Sequence, residues 1–353
     1  MRIAVTGATG NIGTAVVRRL LAEGAHEVIG VARRPPAAGT DDATWVVADV
    51  SRDDCVPALE RAFEGVDAVV HTVWGFQPSH DLGYLEELGV GGTRRVLDAT
   101  AAAGVPQLVH LSSVGAYSPK VDDRPVDESY PTDGVAGSPY SRHKVAAERL
   151  LDAHEANGGG PRIARVRPGI VVQGPAASAL LRYGLPGFVP ARAIALLPVL
   201  PLDRGVVIPM VHADDVAAAI ERIVLTGAGG AFNLASDPPM TADRIAHVLR
   251  ARHVHVPGGV LRAAVDLSWR AHLQQVDPGW VALALNVPVL DTTRAREELG
   301  WAPAVPADCA LREAVEAMAD GAAGATPALR RRTLGGRVSD LVHRGPVSRR
   351  HRP

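Results

Sequence analysis

The segment that most limits the fold of this chain lies at its amino terminus, where a β-branched run passes directly into a glycine-rich turn. Ile3–Thr6 is followed by Gly7, Gly10 and Gly13, and a helical pattern begins within the turn. Gly7 suits a tight turn, Gly10 lets the backbone approach a pyrophosphate, and Gly13 lets the helix pack closely on the strand. Amide groups at the helix N-terminus would face the anion. Such glycine spacing also occurs in ordinary turns, but the strand–turn–helix context predicts dinucleotide binding.

Strands and helices alternate through the first half of the chain. Because this alternation is typical of βαβ units, the sequence predicts an α/β fold with a Rossmann-type, doubly wound parallel sheet of at least six strands. The predicted strands are Ile3–Thr6, Val28–Val31, Trp45–Ala48, Ala68–Thr72, Leu108–Ser112 and Arg162–Val166. The predicted later helices are Tyr140–His154, Asp215–Leu225, Ala242–Arg250 and Cys309–Met318.

Three regions follow from this pattern. We expect a dinucleotide-binding Rossmann domain over residues 1–170, to which later segments return, and a smaller substrate-binding lobe over 171–319. Residues 320–353 form a basic tail whose Gly, Pro and Arg content predicts disorder. A solvated tail is favoured over an arm for an anionic partner, because no aromatic residues alternate with its arginines.

Composition excludes several classes of protein. Cys55 and Cys309 lie far apart, so we expect neither a disulfide framework nor a cysteine metal cluster, and no metal site is predicted. The first apolar run is too short for a signal peptide, and Ala193–Leu202 is too short for a membrane span of about 20 residues. The tail carries a net charge of +6, which leaves −7 on the preceding body and argues against nucleic-acid binding. We therefore expect a soluble, cytoplasmic protein.

The second predicted strand is followed by Arg33 and Arg34, where an NAD enzyme of this kind usually has an acidic residue. Guanidinium groups form charge-assisted bonds to phosphate, so NADP is the preferred cofactor. Alternatively, both arginines simply end an exposed strand, and NAD is bound instead. Asp49, after the third strand, suits the adenine amino group as an acceptor, or else caps an Asx-turn before Arg52.

Catalytic chemistry is predicted at Ser113, Tyr140 and Lys144. Tyr140 and Lys144 are four residues apart in a helix and share one face. An adjacent ammonium favours the ionised tyrosine and is expected to lower its pKa toward the range of a general acid or base. Ser113 follows a central strand, and the carboxyl ends of such strands face the ligand crevice. A Tyr-x-x-x-Lys pair alone is usually a surface pair, but here the glycine loop and Ser113 accompany it.

Together these segments resemble an extended short-chain dehydrogenase/reductase of the NAD-dependent epimerase/dehydratase family, up to about Met318. The resemblance rests on Thr6–Gly13, Val69–Val73, Val90–Thr93, Leu111–Tyr117, Tyr140–Lys144, Arg167–Gly169, Val211–Asp215 and Leu299–Trp301. It implies that Tyr140 donates or accepts the proton, that Ser113 polarises the substrate oxygen, and that Lys144 also holds the nicotinamide ribose. The predicted cofactor-binding residues are Gly7, Thr9, Gly10, Asn11, Ile12, Gly13, Arg33, Arg34, Asp49, Val50, Thr72, Val73, Tyr140, Lys144 and Pro168.

Gly89 and Trp74 are two of the positions at which the chain departs from the family pattern. Gly89 stands where the family usually has Asn, so one polar contact near the active-site helix is missing. Trp74 stands in the usual run of small residues after the fourth strand and places an indole near the cofactor or substrate entrance, unless it belongs to the core.

The leading prediction is hydride transfer between NADP(H) and a ketone or secondary alcohol. The alternatives are a nucleotide-sugar epimerase or dehydratase with bound NAD, and a non-catalytic dinucleotide sensor, against which the Ser113, Tyr140 and Lys144 set argues. Family members that bind nucleotide sugars usually have Arg at the position of Ile208 and a second Arg near Trp280–Leu290, where this chain has no basic residue. We therefore expect a small, apolar carbonyl or alcohol substrate, although Arg182, Arg192 or Arg204 could replace those arginines. The apolar run Ala193–Leu200 would suit such a substrate or, equally, a lid packed on the core. A homodimer stays open.

Overall fold

The computed structural model describes residues 1–22, 24, 26–37, 41–75, 79–177, 179 and 198–330. Its strands are β1 (Arg2–Thr6), β2 (Glu27–Ala32), β3 (Thr44–Val47), β4 (Ala68–His71), β5 (Gln107–Leu111), β6 (Arg162–Pro168), β7 (Ile170–Val172), β8 (Val199–Leu202), β9 (Val207–His212), β10 (Gly230–Leu234), β11 (Ser236–Thr241) and β12 (Arg252–His255). Its helices are α1 (Asn11–Leu21), α2 (Val56–Phe63), α3 (Leu82–Glu86), α4 (Gly92–Ala102), α5 (Pro139–Ala156), α6 (Ala213–Thr226), α7 (Ala242–Val248), α8 (Gly258–Arg270), α9 (Pro278–Asn286), α10 (Thr293–Leu299) and α11 (Ala307–Asp320).

Seven strands form the central sheet in the order β10-β6-β5-β4-β1-β2-β3, and every pairing is parallel. The Rossmann-type prediction is confirmed, and all six predicted strands lie in this sheet. The seventh strand, β10, was not predicted, because its five residues Gly230–Leu234 form too short an apolar run to be recognised as a strand. The strand order reverses beside β1, between β2 and β4, which is where α/β sheets of this type bind their ligands.

Apolar side chains fill both faces of the sheet. On one face, α1, α6 and α10 cover it, with Trp301 buried among them and donating from Nε1 to the Asp215 carbonyl oxygen. On the other face, α2 and α4 pack against β4 and β5, and Leu151 of α5 belongs to the same cluster. Because helices cover both faces, most residues of the inner strands are buried, and the carboxyl ends of the strands lie together at one edge of the sheet.

The second half of the chain adds two small sheets. β9 pairs with β7 in parallel and with β11 in antiparallel fashion, while β8 pairs with β12. The predicted division near residue 170 stays a prediction. Most of the apolar run Ala193–Leu200, together with Arg182, Arg192 and the tail beyond Arg330, lies outside the described residues. No described helix combines the length and apolar character that a membrane crossing requires.

Candidate active site

The glycine loop has the geometry that its three glycines suggest. Gly7 adopts a positive φ of 74°, and a Cβ there would lie 2.9 Å from the Val73 backbone nitrogen. A Cβ at Gly13 would lie 2.1 Å from the Gly7 carbonyl oxygen, so only glycine lets α1 approach the turn this closely. At Gly10, among the described residues, a Cβ would meet only the Gly7 carbonyl oxygen, at 3.3 Å. The loop therefore leaves its Gly10 side open above the first turn of α1, which fits a pyrophosphate.

Other predicted cofactor residues lie around this loop. Thr72 donates from its hydroxyl to the Thr6 carbonyl oxygen at 2.8 Å, which places it and Val73 beside Gly7. Asn11 donates from Nδ2 to the Val171 carbonyl oxygen at 2.9 Å and so joins the loop to β7, two residues beyond the end of β6 at Pro168. These predicted cofactor-binding residues thus lie together at one edge of the sheet, and Thr9 and Ile12 lie among them.

One contact on the loop was not foreseen from the sequence. Thr326, buried beyond the end of α11, donates from its hydroxyl to the Thr9 carbonyl oxygen at 2.8 Å. Leu329 packs nearby on Ala176 and Ala179. The carboxyl-terminal segment therefore braces the glycine loop, a contact for which no sequence motif gives a signal.

Arg33 lies half-buried after β2 and donates from Nη1 to the Tyr84 hydroxyl at 2.8 Å. Tyr84 carries no charge to compensate the guanidinium, and among the described residues Arg33 forms no ion pair. Arg34, next to it, is exposed. The Arg33 guanidinium is therefore not neutralised by a carboxylate among the described residues.

Asp49 shows the Asx-turn that the sequence left open. Its Oδ1 accepts from the Ser51 backbone nitrogen at 3.1 Å and from the Ser51 hydroxyl at 2.8 Å. Val50 is buried, and its carbonyl oxygen accepts from Arg95 Nη1 at 3.0 Å. The Asp49 carboxylate therefore has a local structural role here, while its assignment to adenine stays a prediction.

Ser113 and Tyr140 meet at the carboxyl edge of β5. Ser113 follows that strand, and its Oγ accepts from the Gly115 nitrogen at 3.0 Å and hydrogen-bonds Tyr140. Tyr140 lies in the first turn of α5, directly after Pro139, with Ser138 as the capping residue. A Cβ at Gly115 would lie 2.9 Å from Tyr140 Cε1, so glycine at that position lets the phenol ring reach the serine.

The expectation that the pKa of Tyr140 is lowered was wrong. Burial raises the pKa of the Tyr140 hydroxyl to about 12, and the hydrogen bond with Ser113 offsets this only partly. Lys144 is not among the groups that shift it. The nearby ammonium was visible in the sequence, but the aromatic side chains that keep water from the phenol were not.

Lys144 lies one turn along α5 and is fully buried. Its Nζ donates to the Leu111 carbonyl oxygen at 2.7 Å and lies 3.4 Å from the centroid of the Trp74 ring. Burial lowers the pKa of this ammonium well below its ordinary value, and the negative charge of Glu148 counteracts the shift. Lys144 thus shares a helix face with Tyr140 as expected, but its ammonium is directed to a carbonyl oxygen and an indole.

Two indoles flank Tyr140. Trp74 meets the phenol ring edge-on, with centroids 6.3 Å apart, and Trp280 packs against it with centroids 5.0 Å apart. Trp280 comes from α9, whose N-terminus Asp277 caps by accepting from the Gly279 nitrogen at 2.8 Å. Trp74 stood out in the sequence, but the role of Trp280 did not, because Asp-Pro-Gly indicates the start of a helix and not what that helix faces.

Comparison with known proteins agrees with this arrangement. The model of the NAD-dependent epimerase/dehydratase family matches residues 3–235. The chain is 29% identical over 342 residues to UDP-glucose 4-epimerase of Mycolicibacterium smegmatis, covering 90% of this chain and 98% of that protein. It is also 29% identical over 327 residues to dTDP-6-deoxy-L-talose 4-dehydrogenase (NAD(P)(+)) of Kitasatospora kifunensis, covering 89% and 93%.

Two further matches bear on length and fold. An uncharacterized protein of Mycobacterium tuberculosis is 29% identical over 315 residues, which cover 89% of this chain but only 29% of that longer protein. A solved short-chain dehydrogenase/reductase superfamily protein from Agrobacterium tumefaciens, with bound NAD, superimposes with a TM-score of 0.65 at 25% identity, covering 90% of this chain and 97% of that one.

Proposed function

Since this chain belongs to the NAD-dependent epimerase/dehydratase family, we propose that it is an NADP(H)-dependent oxidoreductase that moves a hydride between the nicotinamide and a ketone or secondary alcohol. The observation that carries the proposal is the hydrogen bond between Ser113 and Tyr140 at the carboxyl edge of β5. A substrate oxygen placed between these two hydroxyls can accept a hydrogen bond from each, while Lys144 lies one helical turn away.

The proton steps follow from these side chains. The bound nicotinamide supplies or accepts the hydride. In reduction, Tyr140 gives its hydroxyl proton to the carbonyl oxygen, so hydride and proton together convert the ketone to the secondary alcohol. In oxidation, the Tyr140 phenolate takes the proton from the alcohol. Ser113 holds the oxygen in either direction. Lys144, which does not shift the pKa of Tyr140 in the structure, is assigned to the nicotinamide ribose.

NADP is the proposed cofactor because of the charge after β2. Arg33 is half-buried and hydrogen-bonded to a neutral phenol, so its charge is uncompensated among the described residues. A 2′-phosphate would supply that compensation through charge-assisted hydrogen bonds. Arg34 is the second candidate ligand for the same phosphate.

The substrate is proposed to be small and apolar, bound between the sheet edge and the lobe of residues 171–319 that contributes Trp280. Trp74 and Trp280 give the space beside Tyr140 an aromatic wall.

Nucleotide-sugar epimerisation is the second candidate, favoured by the similarity to UDP-glucose 4-epimerase. Against it, Ile208 lies half-buried within β9 where a diphosphate-binding Arg would be expected, and α9 contributes no basic residue. Arg204 is exposed beyond β8 and could reach an anion. A sensor without catalysis is disfavoured, because it would need no proton donor beside the cofactor.

A substrate screen separates these candidates. Purified protein is mixed with NADPH or NADH and a panel of alkyl and aryl ketones and aldehydes, and the loss of nicotinamide absorbance is followed. UDP and dTDP sugars are titrated calorimetrically in parallel. We expect carbonyl reduction with NADPH and no sugar-nucleotide binding. Micromolar sugar-nucleotide binding without carbonyl reduction would contradict the proposal and support the epimerase.

A further inference from the structure

Among the described residues, the buried ammonium of Lys144 has no carboxylate partner. Its one hydrogen bond is to the Leu111 carbonyl oxygen at 2.7 Å, and among the described residues it forms no ion pair. Glu148, one turn further along α5, instead binds Arg167 through Nε at 2.9 Å and Nη2 at 2.6 Å. Burying an unpaired charge costs free energy. The remaining contact of the ammonium therefore matters more for its stabilisation.

That contact is the face of Trp74. The Lys144 Nζ lies 3.4 Å from the ring centroid, well within the distance of about 6 Å at which an indole attracts a cation. The same ring meets Tyr140 edge-on at 6.3 Å and His110 at 6.5 Å. The Trp74 ring therefore contacts both the lysine and the tyrosine of the proposed site.

The indole packs closely against the backbone of residue 89, which has no side chain. Gly89 lies in the π-helical turn Glu87–Gly91 that joins α3 to α4. A Cβ there would lie 3.0–3.2 Å from three ring carbons of Trp74, so even alanine would require the indole to shift. Both departures from the family pattern are thus in direct contact: the side chain absent at 89 makes room for the one added at 74.

We propose that Trp74 is a positioning residue for Lys144: its indole face holds the ammonium in place within the active site, and Gly89 is the position that allows the indole to lie there. The proposal rests on the proposed function in one respect only, the assignment of Lys144 to the nicotinamide ribose. The pair Trp74 and Gly89 then acts on the cofactor through Lys144.

The charged groups around Lys144 determine how much of the stabilisation of its ammonium comes from the indole. Glu148 favours the ammonium from the same helix, while the buried His71 of β4 and His110 of β5 are neutral because burial lowers their pKa values. Tyr140 is neutral as well, since its pKa is raised to about 12. The ring face therefore supplies a share of the stabilisation of the cation, and removing it should lower the pKa of Lys144 further.

Lysine NMR tests this directly, because Lys120 and Lys144 are the two lysines of the chain. With selectively labelled lysine, the whole protein should give two side-chain signals. The Lys144 Hε signal should lie upfield of that of Lys120 because of the indole ring current. Lys120, paired with Asp123 at 2.6 Å, serves as the internal reference.

Four variants define the expected pattern. Trp74→Leu should abolish the upfield shift and lower the pKa of Lys144 by about one unit, the size expected for a desolvated cation–π contact. Trp74→Phe should keep part of both. Gly89→Ala should change both properties in the same direction but less than Trp74→Leu, because a Cβ 3.0–3.2 Å from the ring carbons displaces the indole only slightly. Gly83→Ala is the matched control on α3, since the nearest atom to a Cβ there is an Asp81 carboxylate oxygen at 4.0 Å.

Cofactor titration completes the test. Trp74→Leu should weaken NADP(H) binding about tenfold, with Trp74→Phe and Gly89→Ala in between and Gly83→Ala equal to wild type. An unchanged Lys144 signal in Trp74→Leu, or a lost ring-current shift with unchanged NADP(H) affinity, would overturn the proposal. The NMR experiment needs neither cofactor nor substrate, so a wild-type protein that reduces no carbonyl would contradict the proposed function while leaving this readout intact.

Discussion

Trp280 packs against Tyr140 with ring centroids 5.0 Å apart and planes inclined by 37°. The contact is possible because α9 and α5 begin side by side: a Cβ at Gly279 would lie 2.6 Å from the Gly137 carbonyl oxygen. The second half of the chain thereby reaches the proposed catalytic residue of the first. An apolar wall at this place suits a substrate whose carbonyl carries an apolar body.

Trp280→Ala is expected to weaken binding of an apolar carbonyl substrate. Losing most of the apolar contact of an indole costs roughly 1.5–3 kcal/mol, which corresponds to about tenfold or more in KM. Turnover at saturation should change less, because Ser113 and Tyr140 remain. Trp280→Phe is the matched control and should stay close to wild type. An unchanged KM in Trp280→Ala would remove Trp280 from the substrate site.

Replacing Arg33 and Arg34 by alanine should weaken NADP binding selectively. Hydrogen bonds to charged groups contribute roughly 1.5–3 kcal/mol, so about tenfold or more in affinity should be lost for NADP and little for NAD. Tyr84→Phe is a useful companion, because it removes the hydroxyl that holds Arg33 at 2.8 Å without removing the charge. Calorimetry with both cofactors decides the matter, and equal losses for the two would exclude a role for this arginine pair in recognising the phosphate.

Acid should destabilise the fold through two buried histidines. Burial, and then the charge of Lys144, lowers the pKa of His71 to about 3, and His110 shifts in the same direction. The unfolded chain takes up these protons near pH 6.5 while the folded chain does not. The free energy of unfolding therefore has its full value above about pH 6.5. It falls as the pH drops toward 3, by about 1.4 kcal/mol per pH unit for each histidine.

Urea unfolding at roughly pH 7 and pH 5 measures this slope, and His110→Leu tests its source. Neither ring nitrogen of His110 has a hydrogen-bond partner in the described structure. The substitution should therefore keep or raise stability at neutral pH and reduce the loss at acid pH. The same acid slope in wild type and His110→Leu would show that this histidine does not contribute to it.

The parts of the site that the sequence predicted are those encoded locally. Gly7 and Gly13 are recognisable because a positive φ and a close backbone approach each need glycine, and Tyr140 and Lys144 because helical spacing alone puts them on one face. Contacts across distant elements left no such pattern. Trp280 on Tyr140 and Thr326 on the Thr9 carbonyl depend on how the second half of the chain folds back.

The error over the Tyr140 pKa has the same origin. The sequence shows that an ammonium follows four residues later, but not that Lys144 binds the Leu111 carbonyl oxygen or that burial dominates the phenol. The two departures at 74 and 89 were each visible in the sequence. Their contact was not, because it joins the loop after β4 to the turn before α4.

The central claim, that Tyr140 moves the proton in a hydride-transfer reaction, is tested most directly by the turnover of Tyr140→Phe at saturating NADPH with the best carbonyl substrate of the screen. General acid–base groups contribute about 10²–10⁴-fold, and phenylalanine keeps the ring between Trp74 and Trp280. The account predicts a loss of turnover in that range with almost unchanged cofactor affinity. Turnover equal to that of wild type would contradict it.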